Sequence, residues 1–193
     1  MTIKDIVVHQ GDDAHADRRL AAGTALAKQF DARLTGVYVL GFPTLPGYVQ
    51  TEMPTEIIEQ TYREIRAMGE AKRKEFDAAM SREGVNGEFR LMEGDVTDAV
   101  ALCGRYCDLL VVGQPNPDHP ASIDGLAEEL LMASGRPVLV VPYTGDQSHM
   151  GKRIMVAWTA TREATRAVHD AMPLLQKADE VVVFSVNPDD DEH

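Results

Sequence analysis

Three things are scarce in this sequence, and each scarcity excludes something. No apolar run approaches the ~20 consecutive residues of a membrane-spanning helix, so an integral membrane protein of the helical kind is not expected. Positive charge is in deficit: 19 Lys and Arg stand against 31 Asp and Glu, a formal net charge of −12. Nucleic acid and anionic lipid would both repel such a chain, and neither is an expected partner. Cysteine is nearly missing, with only Cys103 and Cys107, four apart in "VALCGRYCD". If that segment is helical the two share a face, but one helical turn is a poor disulfide frame. No further metal ligand lies nearby in sequence, so both read as small apolar side chains facing a sheet. The opening "MTIKDIVVHQGDD" meets an acid at Asp5 and again at Asp12. That does not suit a secretory signal, and the expected setting is cytoplasmic.

What is present is a 193-residue chain, 44% hydrophobic and 26% charged, the balance of a soluble globular protein. Its apolar residues come in short β-branched runs: "DIVVH", "LTGVYVL", "DLLVVG", "PVLVVP", "RIMVAW" and "EVVVFSV". Most are continuous rather than alternating, the mark of strands covered on both faces in a parallel sheet. "GEFRLMEG" is mixed, as expected nearer an edge. Between them lie helical patterns at 14–30, with Leu20, Ala27 and Phe30 in register, and at about 96–106 and 124–134. The longest, 54–83, carries a stripe of Ile58, Tyr62, Ile65, Phe76 and Met80. Strand and helix alternate, which dictates a doubly wound α/β domain with right-handed crossovers. The chain then starts again: the segment from Lys4 to Val39 parallels that from Lys152 to Val186, matching Lys4 with Lys152, Ile6 with Ile154 and Leu26 with Leu174. This internal repeat divides the chain into a domain over 1–146, the strand–helix–strand start of a second module over 150–187, and an acidic tail, 188–193. Such a fragment cannot bury its sheet faces unaided: it must pack on the first domain, pair with another chain, or be the start of a longer protein. The expectation is the last, a tandem protein cut within its second repeat.

With "GDVTDAVALCGRYCDLLVVG" (Gly94 to Gly113) and "GRPVLVVP" (Gly135 to Pro142) in view, the chain resembles the universal stress protein family. "LAKQFDARLTGVYV" is similar to that family's first helix running into strand two, and "VAWTATREATRAVHDAMPLL" to the opening of a second module in tandem members. The resemblance implies a five-stranded parallel sheet of order 3-2-1-4-5, the adenine nucleotide α-hydrolase-like relative of the Rossmann fold. It also implies that modules pair through their fifth strands. In that architecture a ligand belongs where the topology reverses, at the carboxyl ends of strands one and four. ATP-binding members place an aspartate after strand one. After strand four they carry a Gly-x-x-Gly loop and a Gly-Ser/Thr, whose backbone N–H groups and helix N-terminus hold phosphates.

Against that pattern, Gly113 is kept, but Gln114, Pro115 and Asn116 follow it without a second glycine. Pro115, Pro117 and Pro120 remove three N–H donors. Asp118 and Asp124 would repel phosphate by roughly 1 to 4 kcal/mol per close pair. Asp124-Gly125 stands where the Gly-Ser would, with Ser122 upstream, and Asp124 reads as a helix N-cap that competes with phosphate. After strand one the matching residue is Gly11, or Thr159 in the repeat, with Asp12 and Asp13 the nearest carboxylates. ATP is therefore disfavoured as a cofactor, and no other cofactor or metal is implied. The crevice can still offer neutral hydrogen bonds from Gln10, Gln114 and Ser122, with Val39 as an apolar wall, Asp12 at the rim and Gly113, Asp124 and Gly125 around the second loop.

Two enzymatic readings fit less well. Asp12 and Asp13 resemble the acidic pair that holds Mg²⁺ in phospho-receiver domains, with Asp95 as the accepting aspartate, but "VVPYTG" supplies no lysine. Adenylating enzymes of related topology carry a His-x-Gly-His or glycine-rich turn, whereas "HQGDDAHA" holds His9 and His15 without that spacing. No convergent catalytic set is visible. The expected activity is binding and association, the latter through the apolar edge from Pro137 to Pro142, which needs a partner or a cover. The partner expected there is a second copy of the chain, or a second module within it.

Overall fold

The computed structural model describes residues 2–42, 54–116, 124–145 and 149–186. The chain divides into two units, Lys4–Tyr143 and a smaller one made of Thr144–His193 with Met1–Ile3.

In the larger unit, strand and helix alternate as β1 Asp5–Gln10, α1 Ala16–Phe30, β2 Arg33–Leu40, α2 Thr55–Glu83, β3 Gly87–Glu93, α3 Val96–Gly104, β4 Leu109–Gly113, α4 Leu126–Ser134 and β5 Val138–Val141. The five strands make one parallel sheet in the order β3-β2-β1-β4-β5. The order follows from the residues. β4 is apolar throughout and β1 through Ile6, Val7 and Val8, so both must be sandwiched, and Ile6, Val8, Leu110, Val111 and Val112 are completely buried. Each such side chain contributes about 1.5–3 kcal/mol relative to exposure. β3, with its mixed composition, lies at one edge and β5 at the other.

Alternation along β1 sends Val7 to one face of the sheet and Val8 to the other. Val7, Val37, Val39, Leu110 and Val112 form a core with Val100 and Cys103 of α3 and Leu126 and Leu130 of α4. On the opposite face α1 approaches closely enough that a Cβ on Gly23 would stand 3.6 Å from the Val8 Cβ. There α2 presses Phe76 against Gly36, where an added Cβ would fall 2.8 Å from the ring. The chain therefore leaves β1 and β4 toward opposite faces, and a crevice opens between their carboxyl ends.

Two helices differ from the sequence expectation. α2 has 29 residues, about 43 Å of helix, whereas the strands beneath it are much shorter. Only its second half is packed: Phe76 and Met80 are buried, while Ile57, Tyr62 and Met68 are exposed and Ile58 and Ile65 only half-buried. α3 stops at Gly104, so Cys107 lies beyond it rather than one turn along it. Both cysteines are free and buried, and burial pushes the Cys107 thiol up to about 12.

In the smaller unit, β6 Arg153–Ala157 and β7 Glu180–Phe184 pair in parallel around α5 Arg162–Leu175. Thr161 caps α5, its hydroxyl accepting from the Ala164 N–H at 3.2 Å. This is the partial βαβ repeat. Val182, Val183 and Phe184 are about half exposed.

Candidate functional site

The crevice lies beyond Gln10 at the end of β1 and Gly113 at the end of β4, and its centre is an ion pair. Arg19, in the first turn of α1, is 1% exposed. Its Nη1 and Nη2 each donate to one carboxylate oxygen of Asp13, at 2.7 and 2.5 Å, and its Nε donates to the His9 carbonyl at 2.9 Å. The bidentate fork joins two side chains exposed by only 1% and 8%. Burial alone would push the Asp13 carboxyl up. The hydrogen bonds and charge of Arg19 outweigh it, with the His15 N–H helping, and hold it below the ordinary carboxylate value.

Gly113 faces this pair. A Cβ there would stand 2.7 Å from Arg19 Nη1, and a Cβ on Gly11 would stand 2.9 Å from Asp13 Oδ2. Neither glycine needs a left-handed backbone. Both are small because a charged pair runs beside them.

The remaining groups are engaged only in part. Asp12 accepts from the Tyr38 hydroxyl at 2.7 Å. Burial, followed by that hydrogen bond, raises the Tyr38 pKa well above its ordinary value. His9 is 4% exposed; burial and then the adjacent Arg19 lower its pKa to about 4, so it is neutral at pH 7. Among the described residues its Nδ1 has no hydrogen-bond partner, and neither does Nε2 of Gln10, which is also buried. Across the crevice, the Gln114 N–H donates to the Val141 carbonyl at 2.9 Å, so β5 takes the amide that follows Gly113. His15 Nε2 lies 3.3 Å from Asn116 Nδ2 and stacks at a tilt on Tyr143.

The expected site residues thus fall into groups. Gln10, Asp12, Gly113 and Gln114 do come to one end of the sheet. Val39, at the end of β2, is packed into the core with Val100 and Leu110 and is only 9% exposed. Ser122 and Asp118 lie outside the described residues. Asp124 is not the N-cap of α4: that position belongs to Gly125, with φ 76°, and no side chain among the described residues caps the helix. The left-handed turn favours glycine over aspartate immediately before the helix and leaves Asp124 one residue too early. Asp95 is the N-cap of α3, accepting from the Asp98 N–H at 3.1 Å. Among the described residues no three His, Cys, Asp or Glu gather as a metal would require.

Arg19 was not among the expected residues. Its signal is positional: Arg19, Ala22, Gly23, Leu26, Ala27 and Phe30 form the buried face of α1. An arginine on a buried helix face requires an internal partner, although the sequence spacing does not say which.

Comparison with solved structures matches the fold. A universal stress protein family member from Burkholderia pseudomallei is 29% identical, with TM-score 0.56, covering 72% of this chain and 96% of its own. The chain resembles the universal stress proteins. A universal stress protein from Archaeoglobus fulgidus shares the fold over 99% of this chain and 68% of its own, at 14% identity and TM-score 0.75. One from Arabidopsis thaliana, solved with AMP bound, covers 75% and 95%, at 14% identity and TM-score 0.50. No family model matches the chain, and no curated protein does. The universal stress protein resemblance read from "GDVTDAVALCGRYCDLLVVG" and "GRPVLVVP" therefore agrees with the structural one.

In the pattern that the resemblance implies, backbone amides around Gly113 hold phosphate. Here one amide is spent on Val141, the next residue is Pro115, and the space beside Gly113 holds Arg19 and its carboxylate.

Proposed function

We propose that this chain is a cytoplasmic universal stress-type protein that works by binding a small ligand and by self-association, without catalysis and without holding ATP tightly. The observation that carries this reading is the Asp13–Arg19 pair, which occupies the reversal point of the sheet where a ligand's anionic group would otherwise sit. Gln114 is the neutral group left for a ligand at this end of the sheet, whereas Gln10, whose amide nitrogen has no partner among the described residues, lines the groove between α1 and α2. The non-enzymatic reading is supported by the two histidines, which do not converge: His9 is sealed beneath the pair and His15 rests on Tyr143.

Self-association belongs to β5. Its side away from β4 has no strand beside it among the described residues, and Val140 is 40% exposed. Met132 of α4, 85% exposed, adds apolar surface. The edge between Pro137 and Pro142 is the strand expected to pair with a second copy.

A second reading is an ATP-binding universal stress protein with an unorthodox loop, favoured by the AMP-bound Arabidopsis relative and by the retained Gly113. Calorimetric titration of the purified full chain with ATP and with AMP separates the two. The first reading expects no saturable ATP uptake at millimolar nucleotide. Tight ATP binding, or ATP retained through purification, overturns it.

A further inference from the structure

We propose that Arg19 is the receptor of an oxyanion site that Asp13 holds shut, and that a phosphate monoester opens it by taking the carboxylate's place. The inference rests on reading the crevice as a ligand site, and adds the group that recognises the ligand and the contact that closes it.

The guanidinium is already arranged as an anion receptor. Nη1 and Nη2 each donate to one oxygen of Asp13, while Nε is anchored on the His9 carbonyl. That planar fork matches phosphate as well as carboxylate. Asp13 itself belongs to the turn between β1 and α1. It is tied there by the His15 N–H at 3.1 Å and by its own carbonyl, which accepts from Ala16 at 3.2 Å. Swinging it outward unpairs no strand. The walls beside the fork, Gly11 and Gly113, carry no side chains.

A further group points to a guest larger than a carboxylate. His9 Nδ1 is buried without a partner, and the His9 Cε1 lies 3.4 Å from the point where a Gly11 Cβ would stand, as does Arg19 Nη2. A carboxylate commits both oxygens to the fork. A phosphate monoester brings a third, and His9 Nδ1 is the unmet polar atom beside it. Exchange never strips the buried guanidinium of its counter-charge, which is the costly event for a buried pair. Asp12, held by Tyr38 at the same end of the sheet, disfavours additional phosphates.

Thermal unfolding and equilibrium binding on the full chain test this. Wild type, Asp13→Ala and Asp13→Ala/Arg19→Met are compared in inorganic phosphate, AMP, formate and, at matched ionic strength, chloride. Asp13→Ala is expected to melt below wild type in chloride and to recover saturably in phosphate or formate. It should bind phosphate at least roughly tenfold more tightly than wild type, since no internal anion competes. The double variant should show neither effect. If Asp13→Ala does not fold in chloride, folding restored by phosphate or formate supports the proposal, and failure in both overturns it. Equal phosphate affinity in wild type and Asp13→Ala, or a phosphate response that survives Arg19→Met, also overturns it. So does a wild type that takes up no AMP at about a hundredfold the Asp13→Ala dissociation constant. AMP binding no tighter than inorganic phosphate would uphold the oxyanion site and sink the crevice as a nucleoside site.

Discussion

Replacing Gly113 by alanine would put a methyl carbon 2.7 Å from Arg19 Nη1, 3.2 Å from its Cδ and 3.5 Å from its Cζ. The first two distances are shorter than ordinary contact, and Arg19 has little freedom to retreat. It is 1% exposed and fixed by three hydrogen bonds, one to a carbonyl and two to a carboxylate. Overpacking of this kind costs about 1–3 kcal/mol. At about 3 °C per kcal/mol for a unit of this size, the melting temperature should fall by roughly 3–10 °C. Far-UV circular dichroism is the assay, because the lone tryptophan, Trp158, sits in the smaller unit and would report a different transition. The control background is Asp13→Ala/Arg19→Met, which removes the guanidinium without leaving the carboxylate unpaired. There the same Gly113→Ala change should cost less than about 0.5 kcal/mol, because the coupling partner is gone. If Gly113 were kept only to admit phosphate, alanine would be nearly neutral to stability. A melt within a degree of wild type, or a cost that persists in the control background, refutes the account.

Two further outcomes follow from the same structure. His9 has its pKa lowered from 6.5 to about 4 by burial and then by Arg19. The unfolded chain therefore takes up the proton first, and stability is full above pH 6.5 and falls as pH drops toward 4. The loss is roughly 3 kcal/mol across that window. His9→Gln should flatten urea-unfolding stability between those limits, and an unchanged slope would mean another group is responsible. Asp13 continues the decline below the ordinary carboxylate range, because its folded pKa is depressed and the pair's contribution disappears as pH falls through that lower value. At the β5 edge, wild type should show a light-scattering mass of twice 21.2 kDa, and Val140→Lys should return it to the monomer value. A monomeric wild type at micromolar concentration removes the proposed interface.

The sheet was legible because its signal is local. "DLLVVG" has an unbroken apolar run and "DIVVH" an apolar centre in Ile6, Val7 and Val8, so both had to be covered on both faces, and β1 and β4 are inner strands. Helix limits came within two residues for α1, α2, α3 and α4, since apolar spacing and glycine at the ends set them. The site was legible only in part. Arg19 sits in "ADRRLAAG", where one arginine of an adjacent pair reads as solvent-facing, and only the full α1 face from Arg19 to Phe30 shows otherwise. Its partner is six residues away across a turn, a pairing that no helical or strand period encodes. Asp124 failed as a cap for a related reason. Composition favoured the aspartate, but the backbone entered α4 through a left-handed residue, which favours glycine.

The position of Arg19 also changes how the β1 turn would meet a phosphate. A count of charge along the sequence makes Asp12 and Asp13 two repulsive groups at the end of β1. In the fold only Asp12 is left without a cationic partner, bonded to the neutral Tyr38 hydroxyl, while Asp13 is neutralised within 2.5 Å by a buried guanidinium. Repulsion from the β1 turn is thus about halved, and the obstacles become occupancy of the space beside Gly113 and the loss of the Gln114 amide to Val141. Restoring glycines between 114 and 116 would therefore leave the crevice closed, because Arg19 would still be bound to its own carboxylate. Removing that single carboxylate, with the loop untouched, is the change that frees an anion-binding group at the reversal point of the sheet.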